Sequence, residues 1–63
     1  MTTYEAVDIA EGFVESSEEK EIEAWQLLID TGAVWQLQGW FGRRAMALIR
    51  EGICRPPKEG DIS

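Results

Sequence analysis

Neither disulfide bonds nor a structural zinc ion can hold this chain together, and no other feature of its sequence limits the possible folds as strongly. Cys54 is the only cysteine and there is no histidine, whereas a disulfide needs two thiols and a structural zinc site takes four cysteine or histidine ligands. The 63 residues form at most one domain, and a domain of this size buries only about 60% of its unfolded surface. We therefore expect a thin core that depends on tight helix packing or on a partner chain.

The beginning of the chain carries neither a basic segment nor a long apolar run, and the longest uninterrupted apolar stretch covers only residues 45–49. A signal peptide or a membrane span needs a longer stretch. We therefore predict no membrane association and a cytoplasmic location, which also fits a lone cysteine.

Apolar residues recur at helical spacing along most of the chain, and no segment alternates in the manner of a strand. The pattern predicts an all-α fold, a small three-helix domain around one core. The helices are predicted at about residues 3–15, 18–31 and 33–51.

Several residues match the signals that begin and end helices. Thr2 and Glu5 have the spacing of a capping box at the start of the first helix, and Ser16 and Glu19 repeat this spacing before the second. Gly32 is expected to end the second helix in the left-handed conformation. The second and third helices are then predicted to pack as a hairpin across Gly32.

One long helix over residues 3–31 is the alternative to a break near Ser16. In such a helix Glu15, Glu19 and Glu23 would follow one another at i, i+4 spacing and repel. The break is therefore favoured.

The third helix contains Gly39 and Gly42, which are expected to kink it or to split it into two pieces. Gly52 is the predicted end of this helix. Residues 1–53 are thus predicted to form a single helical domain, and residues 54–63 a flexible tail that contains two prolines.

Charge is distributed unevenly along the chain. Residues 1–32 contain nine acidic residues and one basic residue, a net charge of −8, and residues 33–63 contain five basic and three acidic residues, a net charge of +2. An acidic first half repels nucleic acids and anionic membranes but attracts basic protein surfaces. We therefore expect a protein partner rather than a nucleic acid.

Aromatic residues are concentrated in one segment. Residues 24–41 hold eleven apolar residues, including all three tryptophans, which is more than two narrow helical stripes can bury. One interpretation is a large-aromatic core for a small domain. The other is an interface in which tryptophan and arginine serve as anchors. The candidate partner-binding residues are Trp25, Trp35, Trp40, Phe41, Arg43 and Arg44.

Catalysis, metal binding and cofactor binding find no support in the sequence. No histidine or activated nucleophile accompanies the carboxylates, so no acid–base pair can be assigned. The alternation of acidic ligands that a calcium loop requires does not occur either. We predict a protein that is not an enzyme and that carries no metal and no cofactor.

Residues 6–13, 24–32 and 35–43 resemble a family of very short uncharacterised proteins encoded by tailed bacteriophages. The most distinctive segments are Asp-Thr-Gly at 30–32 and Trp-Gln-Leu-Gln-Gly-Trp-Phe-Gly-Arg at 35–43, and the similarity covers roughly residues 4–54. The resemblance implies a phage origin and a bacterial cytoplasm as the place of action. It implies no activity, so it assigns no role to any residue.

The leading hypothesis is a phage-type accessory protein that binds a protein partner, or a second copy of itself, through the aromatic surface. The alternative is an inhibitor that mimics the phosphates of a nucleic acid with an acidic face and blocks a host enzyme of defence or transcription. That face would comprise Glu15, Glu18, Glu19 and Glu23. A helix–turn–helix regulator is the third possibility, and the net charge of −6 argues against it.

Overall fold

The computed structural model of the chain describes residues 1–57. The prediction of a small all-helical domain is confirmed, since these residues form three α-helices and one short 3-10 helix, with no strand among them. The helices are α1 (Thr3–Glu11), α2 (Glu18–Thr31), the 3-10 helix (Ala33–Trp35) and α3 (Gly39–Arg50). Residues 58–63, the larger part of the predicted tail, lie outside the described residues.

Helix α1 begins as predicted, with a complete capping box. The backbone N–H of Glu5 donates to Thr2 Oγ1 at 3.1 Å, and the backbone N–H of Thr2 donates to Glu5 Oε1 at 3.0 Å. Two backbone donors that the helix itself leaves unpaired are thus satisfied by local side chains.

The predicted end of this helix at residue 15 is wrong, because Gly12 stops it. Gly12 has a φ of 85°, a left-handed conformation that glycine adopts without the penalty of a side chain. The N–H groups of Gly12 and Phe13 donate back to the carbonyls of Ile9 and Asp8, which closes the helix. Phe13 is consequently 77% exposed rather than part of a buried face.

The predicted break before α2 is confirmed, but the predicted capping residue is off by one. Ser17, not Ser16, caps the helix, and its Oγ accepts from the N–H of Lys20 at 3.2 Å. The residue three positions after Ser17 is a lysine, which cannot return the hydrogen bond as a glutamate would. At the other end, Gly32 terminates α2 with a φ of 82°, as predicted.

The third predicted helix is broken, and the break lies before the glycines rather than at them. Val34 is fully buried within the 3-10 helix, and Gln38 is extended, with a ψ of 155°. Gly39 is the first residue of α3 and Gly42 lies inside it. The single helix predicted for residues 33–51 is therefore replaced by a tight turn and a shorter helix.

The core is one cluster to which all three α-helices contribute. Its buried members are Ala6, Ile9, Ala24, Trp25, Leu28, Ile29, Val34, Phe41, Ala45, Leu48 and Cys54.

Helix α1, and not α3, makes the close backbone contact with α2, so the predicted α2–α3 hairpin is wrong. Ala6 of α1 and Ala24 of α2 are both fully buried, and small side chains permit a close approach of two helices. Between α2 and α3 the large rings of Trp25 and Phe41 pack against each other instead, which keeps the two backbones further apart.

The packed domain extends beyond the boundary predicted at residue 53. Cys54 is buried in the core, and the backbone of Arg55 is hydrogen-bonded to the Gln26 side chain of α2. The segment after α3 thus belongs to the fold at least as far as Arg55.

Candidate protein-interaction surface

Three aromatic side chains form a cluster that runs from the core to the surface between α2 and α3. The Trp40 ring stacks on Phe41, with centroids 4.0 Å apart, and meets Trp25 edge to face at 6.2 Å. Phe41 and Trp25 are only 2% and 6% exposed, whereas Trp40 is 37% exposed. Trp25 and Phe41, two of the predicted interface residues, are therefore core residues. The ring of the third, Trp40, packs against both of them.

A shallow pocket of about 150 Å³ lies beside this cluster. It is called the α2–α3 pocket below, and its lining residues are Glu18, Glu21, Ile22, Trp25, Arg44, Leu48 and Ile53. Its apolar residues come from both helices and from the segment after α3, the two carboxylates come from α2, and the guanidinium comes from α3. Trp40 precedes Arg44 by one helical turn and so lies on the same side of α3.

Trp35 does not belong to this surface. Its ring lies against α3 at Gly42, where a Cβ atom would be 3.5 Å from Trp35 Cε3. Residues 40 and 42 are separated by about 200° around a helix with 3.6 residues per turn. Trp35 and Trp40 are both exposed, but they lie on opposite flanks of α3, so the predicted aromatic residues do not form one continuous surface.

Arg43 and Arg44, the two predicted arginine anchors, lie at different places on α3. Both are exposed, but only Arg44 lines the α2–α3 pocket. The Arg43 side chain turns back over the start of α3, where its Nη1 lies 3.4 Å from the position of a Cβ on Gly39.

The four residues of the predicted acidic face are all exposed, although they do not lie on one helix. Glu15 is in the loop between α1 and α2, Glu18 and Glu19 are in the first turn of α2, and Glu23 follows one turn later. The helix dipole stabilises the carboxylates of Glu18 and Glu19 in the first turn of α2. Of the four, only Glu18 also lines the α2–α3 pocket.

The sequence does not predict four of the residues that line the α2–α3 pocket, namely Glu21, Ile22, Leu48 and Ile53. A signal for part of this set exists in the sequence, because residues 18, 21, 22 and 25 follow the i, i+3, i+4, i+7 spacing of one helical face. Which part of α3 faces them depends on how the helices cross, and local spacing does not contain that information.

A larger pocket of about 320 Å³ lies alongside α1. Its lining residues are Met1, Glu5, Asp8, Ile9, Val14 and Lys20. No aromatic or arginine side chain contributes to it, so it lacks the residue types that dominate binding energy at protein interfaces.

Within residues 1–57 no three acidic or cysteine side chains converge where they could hold a metal ion. Burial raises the pKa of the Cys54 thiol despite the opposing charge of Arg55, and this disfavours the reactive thiolate. No helix in the described part of the chain is both long enough and apolar enough to cross a membrane.

The described residues form a small all-helical domain in which a partly exposed tryptophan, Trp40, stacks on the buried ring of Phe41. The chain belongs to a family described as domain of unknown function DUF7417, whose model matches residues 3–63. Neither the curated proteins nor the solved structures contain a match to this chain.

Proposed function

We propose that this protein is a non-enzymatic interaction domain, and that its binding surface consists of Trp40 and the adjoining α2–α3 pocket. One observation carries the proposal: the Trp40 ring is 37% exposed while it stacks on the buried Phe41 ring. An exposed tryptophan that is already held in place loses little conformational freedom when a partner covers it. Tryptophan is also among the residues that contribute most to binding at interfaces.

The chemistry around Trp40 favours another protein chain as the ligand. The α2–α3 pocket combines apolar side chains with two carboxylates and a guanidinium, and protein interfaces likewise combine apolar and charged groups. The resemblance to phage proteins adds the proposal that the domain is an accessory protein that acts in the cytoplasm of a bacterial host.

Affinity capture with matched tryptophan and tyrosine variants tests this function. The tagged protein serves as bait in an extract of cells that also express an untagged copy, so that both self-association and capture of another protein are detected. We expect Trp40→Ala to lose the captured chain. Tyr4→Ala, which removes an exposed aromatic residue from α1, should retain it. Equal capture by the wild-type, Trp40→Ala and Tyr4→Ala baits would refute the proposed surface.

A nucleic-acid mimic is the second candidate function, and the exposure of all four predicted acidic residues favours it. Glu19 and Glu23 do not line the α2–α3 pocket, so Glu19→Lys/Glu23→Lys tests this function separately from the first. A mimic should lose its target in this variant, and the wild type should lose it as salt is added, because exposed charges are screened. Capture that persists in high salt would exclude the mimic.

The helix–turn–helix alternative gains no support from the connection between α2 and α3. Residues 32–38 join the two helices and include a 3-10 helix, whereas a helix–turn–helix motif has a turn of only about three to four residues.

A further inference from the structure

The two sides of the α2–α3 pocket carry opposite charges. Glu18 and Glu21 contribute carboxylates from α2, and Arg44 contributes a guanidinium from α3. Ile22 and Leu48 line the same pocket and supply apolar surface from each helix. The α2 side of this surface is therefore acidic and the α3 side basic, and each helix also contributes an apolar side chain.

We propose that the occupant of this surface is a second copy of the same chain, related to the first by a two-fold axis. The inference rests on the proposed binding surface and names its partner. In a two-fold dimer the same patch on each subunit must be complementary to itself. Rotation by 180° brings Arg44 of one copy opposite Glu18 and Glu21 of the other, and it does so twice in the interface.

Charge complementarity favours a second copy over a uniformly basic partner. A basic partner would match the carboxylates of α2 but would place like charge against Arg44, and like-charge contacts at an interface are costly. A second copy satisfies both sides of the pocket at once.

The apolar residues that the monomer leaves in water provide the driving force. Trp40 packs against Trp25, which lines the pocket together with Ile53. Both Trp40 and Ile53 remain exposed in the single chain. Burial of apolar surface is the main favourable term in association. A chain without disulfides and with a thin core is also of the kind that commonly gains stability from oligomerisation.

Charge reversal on one side of the pocket at a time tests the dimer. Sedimentation equilibrium over a range of concentrations gives the dimer dissociation constant of the wild type, of Arg44→Glu, and of Glu18→Lys/Glu21→Lys. Each variant places like charges against each other at both symmetry-related contacts. We expect each to dimerise at least about tenfold more weakly than the wild type, since several exposed pairs change from attraction to repulsion.

An equimolar mixture of the two variants is the decisive sample. In the mixed dimer the glutamate introduced at position 44 would face the lysines introduced at positions 18 and 21 at one contact. At the other contact the native Arg44 would face the native carboxylates, so association should recover. If Arg44 instead interacts only with carboxylates of its own chain, the mixture stays monomeric and the proposed dimer is refuted. A wild type that is monomeric at millimolar concentration refutes it as well.

Circular dichroism shows whether each variant keeps its helices. Should a charge reversal unfold the chain, Arg44→Gln and Glu21→Gln serve as milder replacements, with a smaller weakening expected in each. The dimer and the broader function fail separately: a monomeric wild type whose Trp40 is still required to capture a different protein contradicts only the second copy. A wild type that neither dimerises nor needs Trp40 to capture another protein contradicts the binding surface itself.

Discussion

The Gln26 side chain and the Arg55 backbone form a reciprocal pair of hydrogen bonds. The N–H of Arg55 donates to Gln26 Oε1 at 2.8 Å, and Gln26 Nε2 donates to the carbonyl oxygen of Arg55 at 3.0 Å. The same Nε2 donates to Asp30 Oδ1 at 3.1 Å, which orients the amide along α2. This contact fastens the segment after α3 to α2 and keeps Cys54 in the core.

Replacement of Gln26 by alanine should therefore loosen the end of the domain. The variant loses both bonds to Arg55, and a net contribution of about 0.5–1.5 kcal/mol per hydrogen bond is typical. Because the contact is partly exposed to water, we expect the free energy of unfolding to fall by about 1 kcal/mol in urea denaturation. The amide of Arg55 should exchange with deuterium faster than in the wild type.

Gln38→Ala is the matched control, because the Gln38 side chain makes no capping hydrogen bond at the start of α3. Its unfolding free energy should stay within about 0.5 kcal/mol of the wild type. If Gln26→Ala and Gln38→Ala prove equally stable, the reciprocal contact does not stabilise the domain.

Features with a local signal could be predicted from the sequence, and features that join distant residues could not. The capping box of Thr2 and the end of α2 at Gly32 each depend on a few neighbouring residues, and both predictions are confirmed. The bonds between Gln26 and Arg55 join residues 29 positions apart. No local pattern indicates them, so the sequence alone places Cys54 in a tail.

Gly12 shows how a local signal can be misread. It carries the same left-handed end-of-helix conformation as Gly32, but Phe13 and Val14 continue the apolar helical pattern beyond it, so the sequence favoured a longer helix. The binding surface could be predicted only in part, for a different reason. Helical spacing predicts which residues share a face of α2, but the side on which Arg44 meets them depends on the packing of large aromatic rings between the helices.

The same glycine-to-alanine change should have opposite effects at Gly32 and Gly42. Gly32 has a φ of 82°, and a left-handed conformation costs an alanine about 1–2 kcal/mol. Gly42 lies inside α3, where a new Cβ would be in ordinary van der Waals contact with Trp35 at 3.5 Å, and alanine favours a helix interior by about 0.5–1 kcal/mol over glycine. Gly42→Ala should thus stabilise the domain, and Gly32→Ala should destabilise it.

Thermal unfolding measures both changes against the wild type. In a domain of this size 1 kcal/mol shifts the Tm by about 4–8 °C. A rise in Tm for Gly32→Ala, or a marked fall for Gly42→Ala, would contradict the conformations described for α2 and α3.

Truncation to alanine should destabilise the domain strongly at Phe41 and hardly at all at Phe13. Phe41 is 2% exposed and contacts both Trp25 and Trp40, and truncation of a buried phenylalanine to alanine costs about 3–5 kcal/mol. A chain of 63 residues has a total stability of roughly 3–9 kcal/mol. Phe41→Ala should therefore remove a large part of that stability, and urea denaturation followed by helical circular dichroism should show the free energy of unfolding fall by about 3–5 kcal/mol.

Phe13→Ala supplies the comparison, because Phe13 lies outside the core beyond the end of α1. Its stability should change by less than about 0.5 kcal/mol. A Phe13→Ala variant as unstable as Phe41→Ala would mean that the loop between α1 and α2 packs on the core in solution.

The buried thiol of Cys54 should make the stability of the domain depend on pH in the alkaline range. Burial raises the pKa of this thiol above its ordinary value of 9.0 in the folded chain, and Arg55 only partly opposes the effect. The folded state therefore holds the proton more tightly than the unfolded state does. The contribution of this group to stability is fully present below the pKa of the unfolded chain, and it is lost as the pH rises through the pKa of the folded chain.

Urea denaturation of the wild type and of Cys54→Ala at pH 7, 8, 9 and 10 separates this effect from the titration of tyrosine and lysine. We expect the stability of the wild type to fall more steeply above pH 9 than that of Cys54→Ala, because the variant lacks the thiol but keeps every other titrating group. Thiol-specific reagents should react slowly with the native protein at pH 8 and quickly in urea, since the sulfur is buried. Parallel pH profiles for the two proteins, together with a fast native reaction, would place Cys54 at the surface and remove the segment after α3 from the core.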